Sequence, residues 1–252
     1  MEDFEKWEGL GNDFIVARSE VTPNRAVALC DRRRGIGGDG VLALLGDDAT
    51  GWRMVVLNAD GSRPEMCGNG LRCVVGHLAL RDGLDRGELA IETDAGTRRC
   101  RYTRRGEGLY DVEAMMGQAT VGTPFDFAGH RFLPVEVGNP HAVAFVERGD
   151  SILDEVGPAL ERDTEGGVNV ELCAQTDPRR IDAVVWERGV GRTLACGTGA
   201  CAVAAAAAHE RRVPHSEAVE IVLPGGPLSI VVEDAGNVRM TGPARRVFSG
   251  SL

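Results

Sequence analysis

Lysine is nearly absent from this chain: Lys6 is the only one in 252 residues. An enzyme that carries pyridoxal phosphate as a Schiff base needs a lysine in its pocket, and one six residues into the chain is poorly placed for that role. Long apolar runs are missing as well. The longest lies in "ACAVAAAAAHERR" (200–212), which falls far short of the roughly 20 residues of a membrane span and is too rich in alanine to insert well. The opening "MEDFEKWEGLGNDF" is acidic and lacks the basic flank and apolar core of a signal peptide, so a cytoplasmic location is expected. Positive charge is in deficit, with 28 basic against 38 acidic residues and a net charge of -10, which disfavours a general affinity for nucleic-acid phosphates. No C-x-x-C occurs, so a thioredoxin-like redox motif is excluded.

What is present begins with 43% hydrophobic residues, enough to build one large core or two ordinary ones in a chain of 252. The seven cysteines are odd in number and read as free thiols, not as a disulfide framework. Two of them sit in "EMCGNGLRC" (65–73), beside two glycines and an asparagine.

The chain also repeats itself. "VVLNADG" (55–61) reads as a buried strand and turn, and "CGNGLRCVVGHLALRDG" (67–83) as a helix that begins at its glycines. "VVWERGV" (184–190) and "CGTGACAVAAAAAHERR" (196–212) restore the same order at a constant shift, since 184 − 55 and 196 − 67 both equal 129. Gly37 and Gly38 fall on Gly166 and Gly167 at that shift, and "GLGNDF" around Asn12 is answered nearby by "VGNPHAV" around Asn139. A period of this size is a duplicated domain, not a solenoid. Short β-rich runs separated by Gly, Pro and Asn fill much of the remainder. The reading is α+β, two similar halves, each with many strands, one main central helix and a shorter one, at 23–33 and about 152–161. The halves are expected at residues 1–116, carrying Cys67, and 117–239, carrying Cys196, with a boundary where "AMMGQATVGTP" loses strand periodicity and a last strand, about 240–252, returning to the first half.

The cysteines admit several chemistries. Cys67, Cys73 and His77 are spaced more widely than structural zinc ligands, so no metal is expected. "GIGGDG" (35–40) fits G-x-G-x-x-G, but an arginine-rich helical run precedes it and a strand follows, the reverse of a dinucleotide site; turn glycines, with a helix cap at Gly35, are the better reading. That leaves Cys67 and Cys196 as first residues of two glycine-led helices. Free N–H groups and the helix dipole there can lower a thiol pKa from about 8.5 into roughly 3.5 to 7.5, and glycines let an anion approach. Inverting an amino-acid α-carbon takes a proton from one face and returns one to the other. Two opposed thiol/thiolate groups across one cleft can do this without a cofactor, helped by donors placed where carboxylate charge develops. Cys73 and Cys201 read as packing residues within the helices.

These residues resemble the diaminopimelate epimerase family. The likeness is carried by "GLGNDFIV", "NADGSRPEMCGNGLRC", "VGNPHAV", "GVNVE" and "WERGVGRTLACGTGACA", and by the closing "MTGPARRVFSG". It implies two pseudo-symmetric halves, each a mostly antiparallel sheet wrapped around a central helix, with diaminopimelate as small-molecule substrate, no cofactor, and a homodimer. It implies Cys67 and Cys196 as the acid/base pair, with Cys67 donor and Cys196 acceptor from L,L to meso. Gly68, Asn69, Gly197 and Thr198 would hold the reacting carboxylate through backbone N–H groups. Asn12, Asn58, Asn139, Asn169, Glu187 and Arg188 would meet the rest of the substrate, and His141 with Glu187 would tune the thiols. Arg188 suits the distal carboxylate as a bidentate donor. The chain departs from the pattern at Glu8, where a histidine is frequent, at Gly40, where some members carry a substrate-contacting glutamine, and at Phe248, where an interface tyrosine is common. A racemase of another amino acid on the same fold is the rival enzyme reading; a thiol redox sensor or metal module is the non-enzymatic one.

Overall fold

The computed structural model describes residues 3–147 and 149–251. Two compact units emerge, one of residues up to Ala114 together with those from Gly242 onward, the other Met115–Thr241.

In the first unit the chain runs through β1 (Asp3–Gly9), β2 (Asn12–Ala17), α1 (Pro23–Cys30), β3 (Gly40–Asp47), β4 (Gly51–Asn58), α2 (Gly68–Arg81), β5 (Arg86–Thr93), β6 (Gly96–Gly106) and most of β7 (Leu109–Gln118). Neighbouring strands pair in this order, antiparallel except β2 with β3 and β4 with β5. The central helix is α2. Leu71, Cys73, Val74, Val75, Leu78 and Ala79 lie all round it and are fully buried, the pattern of a helix enclosed on every side, and it touches each strand from β1 to β6.

The second unit follows with β8 (Thr120–Val121), β9 (Phe125–Phe127), β10 (His130–Glu136), β11 (Pro140–Phe145), α3 (Gly149–Asp163), β12 (Asn169–Asp177), β13 (Arg180–Glu187), β14 (Gly191–Thr193), α4 (Gly197–His209), β15 (Ala218–Leu223), β16 (Gly226–Val232) and the start of β17 (Asn237–Ser251). The pairing sequence recurs: β10–β11 antiparallel, β11–β12 parallel, β12–β13 antiparallel, β13–β15 parallel, then β15–β16–β17 antiparallel. Here α4 is the buried axis, and its run of small residues lets strands close in on all sides. The later part of β17 belongs to the first unit and pairs with β1, from Asp3↔Ser251 to Glu8↔Arg245. The architecture is α+β, with two pseudo-symmetric halves, each a mostly antiparallel sheet around a central helix.

The register makes the repeat quantitative. Val41 faces Leu57 and Val170 faces Trp186, a shift of 129 on both strands. Across the parallel pairs, Phe14 faces Gly40 and His141 faces Asn169, so β3 to β12 keeps 129 while β2 to β11 moves by 127. A slip of two residues preserves which side chains face the core.

Four local expectations change. The first short helix ends at Cys30, not 33, because the Asp31 carboxylate accepts from the Arg33 and Arg34 N–H groups at 2.7 and 2.9 Å and draws the chain into a turn. Gly35 therefore lies in that turn and caps no helix. Helix α3 is 15 residues long, against 13 for α4, so it is no minor element; Leu153, Val156, Gly157 and Leu160 form the buried stripe that seats it on β12 and β13. The segment "AMMGQ" does not lose periodicity: it continues β7 with alternating burial.

Candidate active site

Each central helix opens on a cysteine. Cys67 and Cys196 are N-caps, one residue ahead of the helices, in extended conformation at φ/ψ of -135°/115° and -122°/113°. In each the sulfur takes the place usually held by a serine or aspartate oxygen, accepting from the N–H three residues on: Gly70 to Cys67 at 3.4 Å and Gly199 to Cys196 at 3.4 Å. The sequence turns this way because those residues are glycine. A Cβ at Gly70 would stand 2.7 Å from Leu42 Cδ2, and one at Gly199 would stand 2.5 Å from Glu171 Oε1.

In the first unit Cys67 is half-buried, and Gly68, Asn69 and Gly70 behind it are buried. Asn69 donates its Nδ2 to Asn12 Oδ1 at 3.1 Å, and Asn12 donates to Asp39 Oδ2 at 2.7 Å. Asn58 ends β4 and is engaged in a turn, its Nδ2 on Ser62 Oγ at 2.9 Å. Gly40 is buried at the start of β3, opposite both Phe14 and Asn58. Glu8 accepts from Gly11 N and from Arg245 Nε. His77, once considered with Cys67 and Cys73, turns its Nδ1 to Glu5 Oε2 at 2.7 Å. Cys73 is fully buried, and that burial pushes its thiol far above the usual range.

In the second unit Cys196 is buried, with Thr198 Oγ1 at 3.4 Å from its sulfur. Asn139 donates to that same hydroxyl at 3.3 Å, repeating the link between Asn12 and Asn69. His141 lies between two acceptors, Nδ1 at 2.7 Å from Glu171 Oε1 and Nε2 at 3.0 Å from Asn139 Oδ1. Asn169 spends its amide on the backbone, donating to Pro140 O at 2.8 Å and accepting from Arg188 N at 3.0 Å. Arg188 is exposed, with Nη1 on Gly166 O at 3.1 Å. Glu187 accepts from Thr193 Oγ1 at 2.5 Å and from the Cys196 thiol.

The electrostatics reverse one expectation. Burial drives the Cys196 thiol well up, and the nearby Glu187 and Glu171 carboxylates push the same way; the Thr198 hydroxyl and the Gly199 N–H only partly oppose them. Burial also raises Glu187, against the hydrogen bonds from Thr193 and Cys196. A helix N-terminus contributes about 0.3 to 1 kcal/mol, whereas enclosing a charge costs several, so the dipole does not prevail at Cys196.

Sequence reading missed Glu171, Thr193 and Asp39. Only Glu171 carried a signal, a carboxylate flanked by Val170 and Leu172 in the strand "VNVELC"; nothing in "GRTLAC" marks Thr193 as the partner of Glu187.

Solved structures share this frame. A predicted epimerase from Pseudomonas aeruginosa superposes with a TM-score of 0.77 at 18% identity, covering 100% of this chain and 99% of its own. A hydroxyproline epimerase from Agrobacterium vitis gives 0.76 at 16%, over 100% and 90%. At those identities the likeness is one of fold. Sequence carries it further: the family model described as diaminopimelate epimerase matches residues 4–122 and 133–247. The diaminopimelate epimerase of Synechococcus elongatus is 39% identical over 99% of this chain and 97% of its own length, and that of Desulfitobacterium hafniense 38% over 98% and 96%. The protein is thus an isomerase of the epimerase class. It belongs to the diaminopimelate epimerase family.

Proposed function

We propose that the protein interconverts L,L- and meso-2,6-diaminopimelate without a cofactor, with Cys67 and Cys196 as its two acid/base groups. The observation that carries this reading is the repeated cysteine cap, each sulfur 3.4 Å from the third N–H of a buried glycine-led helix. One thiolate takes the α-proton as the C–H pair moves into the carboxylate. The other thiol returns a proton to the opposite face as that pair re-forms the C–H bond, so the enzyme ends with its two protonation states exchanged. Backbone N–H groups of Gly68, Asn69, Gly197 and Thr198 stabilise the carboxylate while it carries the extra charge. Asn12, Asn58, Asn139, Asn169, Glu187 and Arg188 hold the distal amino-acid group, and His141 with Glu187 adjusts the thiols. Cys67 donates and Cys196 accepts from L,L to meso, and the roles swap in reverse. Family likeness supports a homodimer and a cytoplasmic location; no helix among the described residues is long and apolar enough to cross a membrane.

Incubation with L,L-diaminopimelate in heavy water tests the reading, with stereochemistry and α-deuterium followed together. Inversion with solvent deuterium on the product is expected. Inversion that retains the original proton excludes the two-base exchange, and no inversion of diaminopimelate excludes the substrate.

A further inference from the structure

Glu171 stands out among the groups the mechanism above does not use. It lies on β12 at 0% exposure, between the first turn of α4 and the His141 ring. Its Oε1 is where a Cβ on Gly199 would collide, and that same Cβ would lie 3.3 Å from Cys196 Sγ, so the carboxylate sits directly behind the thiol's turn. Its Oε2 has no hydrogen-bond partner among the described residues. The surrounding network sets proton positions. Asn139 gives its Nδ2 to Thr198, which turns its Oδ1 toward His141 Nε2; with Glu171 on Nδ1, both ring nitrogens face acceptors. The ring is thereby held at both of its nitrogens, between β12 and the turn before β11.

The other half keeps the asparagine link but has neither the carboxylate nor the ring. By strand register the place of Glu171 is taken by Leu42 and that of His141 by Phe14, both buried. Leu42 meets Gly70 as Glu171 meets Gly199. Two helix starts that are alike in backbone therefore rest on different floors, apolar under Cys67 and ionic under Cys196.

We propose that Glu171 is a positioning residue for the reaction, one of the groups that set the Cys196 thiol apart from the Cys67 thiol. It holds the His141 ring against Asn139, and its carboxylate, placed behind the thiol's turn, favours the protonated form of Cys196. In the free enzyme the mobile proton then sits on Cys196, the form ready to give a proton from that side. The other titratable groups facing this point are Glu187 from β13, His141 from β11, and Cys173 two residues along β12. Burial is the largest influence on the thiol and Glu187 acts ahead of Glu171, so Glu171 is one source of three. The inference deepens the proposed function and rests on it for its catalytic meaning.

The test reads protons directly. The ¹³Cβ shift of Cys196 distinguishes thiol from thiolate without a reagent entering the site. In wild type, Cys196 stays a thiol through pH 9. In Glu171→Gln, which keeps the shape and removes the charge, the Cys196 midpoint falls by about one pH unit, a tenfold gain in thiolate at a given pH, while that of Cys67 stays put. Glu171→Leu, which copies Leu42, moves Cys196 the same way and serves if the glutamine variant folds poorly. A Cys196 midpoint unchanged or raised in the folded variant overturns the proposal. If wild type does not invert diaminopimelate, the proposed function fails, but the titration of Cys196 stands or falls separately.

Discussion

Asn139 donates its Nδ2 to the Thr198 hydroxyl at 3.3 Å, tying the start of β11 to the first turn of α4. The same asparagine accepts from His141, so it joins the thiol's turn to the buried ring. Asn139→Ala removes both bonds and leaves His141 Nε2 with no acceptor. A cost of about 1 to 3 kcal/mol in unfolding free energy is expected, with kcat/KM falling by ten-fold or more. Denaturant unfolding with steady-state kinetics checks it; a variant with unaltered stability and turnover shows that the network is not coupled.

Replacing Cys67 or Cys196 by alanine removes the proton carrier for one face of the α-carbon. Either change is expected to abolish epimerisation to below about 1% of wild type. The measurement is conversion of L,L-diaminopimelate to meso by chiral chromatography. Near-normal turnover in either single variant defeats the two-thiol mechanism.

Arg188→Met is expected to lower kcat/KM for diaminopimelate by about two to three orders of magnitude. A charged hydrogen bond enclosed with substrate is worth roughly 1.5 to 3 kcal/mol, and stranding its partner raises the loss to about 3 to 5. The guanidinium is exposed in the protein alone, so folding stability should scarcely change. Normal turnover in this variant removes Arg188 from the distal site.

Stability should decline at alkaline pH. Burial pushes Cys30 up to about 11 and Cys100 up to about 12, and it raises Cys73, Cys173 and Cys196 in the same direction. A thiol whose folded pKa lies above its unfolded value of about 8.5 binds its proton more tightly when folded. Its stabilisation is complete below about pH 8.5 and is lost as pH rises toward the folded value. Thermal midpoints measured from pH 7 to 10.5 should therefore hold and then fall. A flat profile to pH 10.5 contradicts the burial of these thiols.

Gly199→Ala should destabilise more than Gly70→Ala. Both Cβ atoms intrude, at 2.5 and 2.7 Å, but Leu42 Cδ2 ends a flexible apolar chain, while Glu171 Oε1 is pinned by His141. Overpacking of this kind costs about 1 to 3 kcal/mol, and the Gly199 variant should lie at the upper end. Equal losses in chemical denaturation would show that Glu171 yields as readily as Leu42.

Much was legible in the residues alone. The shift of 129 between Val41–Leu57 and Val170–Trp186 is present in the chain before it folds, because one hydrophobic pattern and one cysteine-glycine motif occur twice. The glycines after Cys67 and Cys196 likewise announced helix starts with accessible N–H groups, since that chemistry is local. What the strand register decided was which side chains share a floor. The slip to 127 between β2 and β11 is the spacing of Asn12 and Asn139, but only the strand pairing shows that it sets His141 in Phe14's place. Enclosure decided the rest. The helix dipole is a property of the segment and argues for a thiolate at both caps, but the charge of Cys196 answers to water excluded and to Glu187 and Glu171, brought in by strands β13 and β12. Desolvation and Coulomb energy depend on distances between residues far apart in the chain, and those exist only after folding.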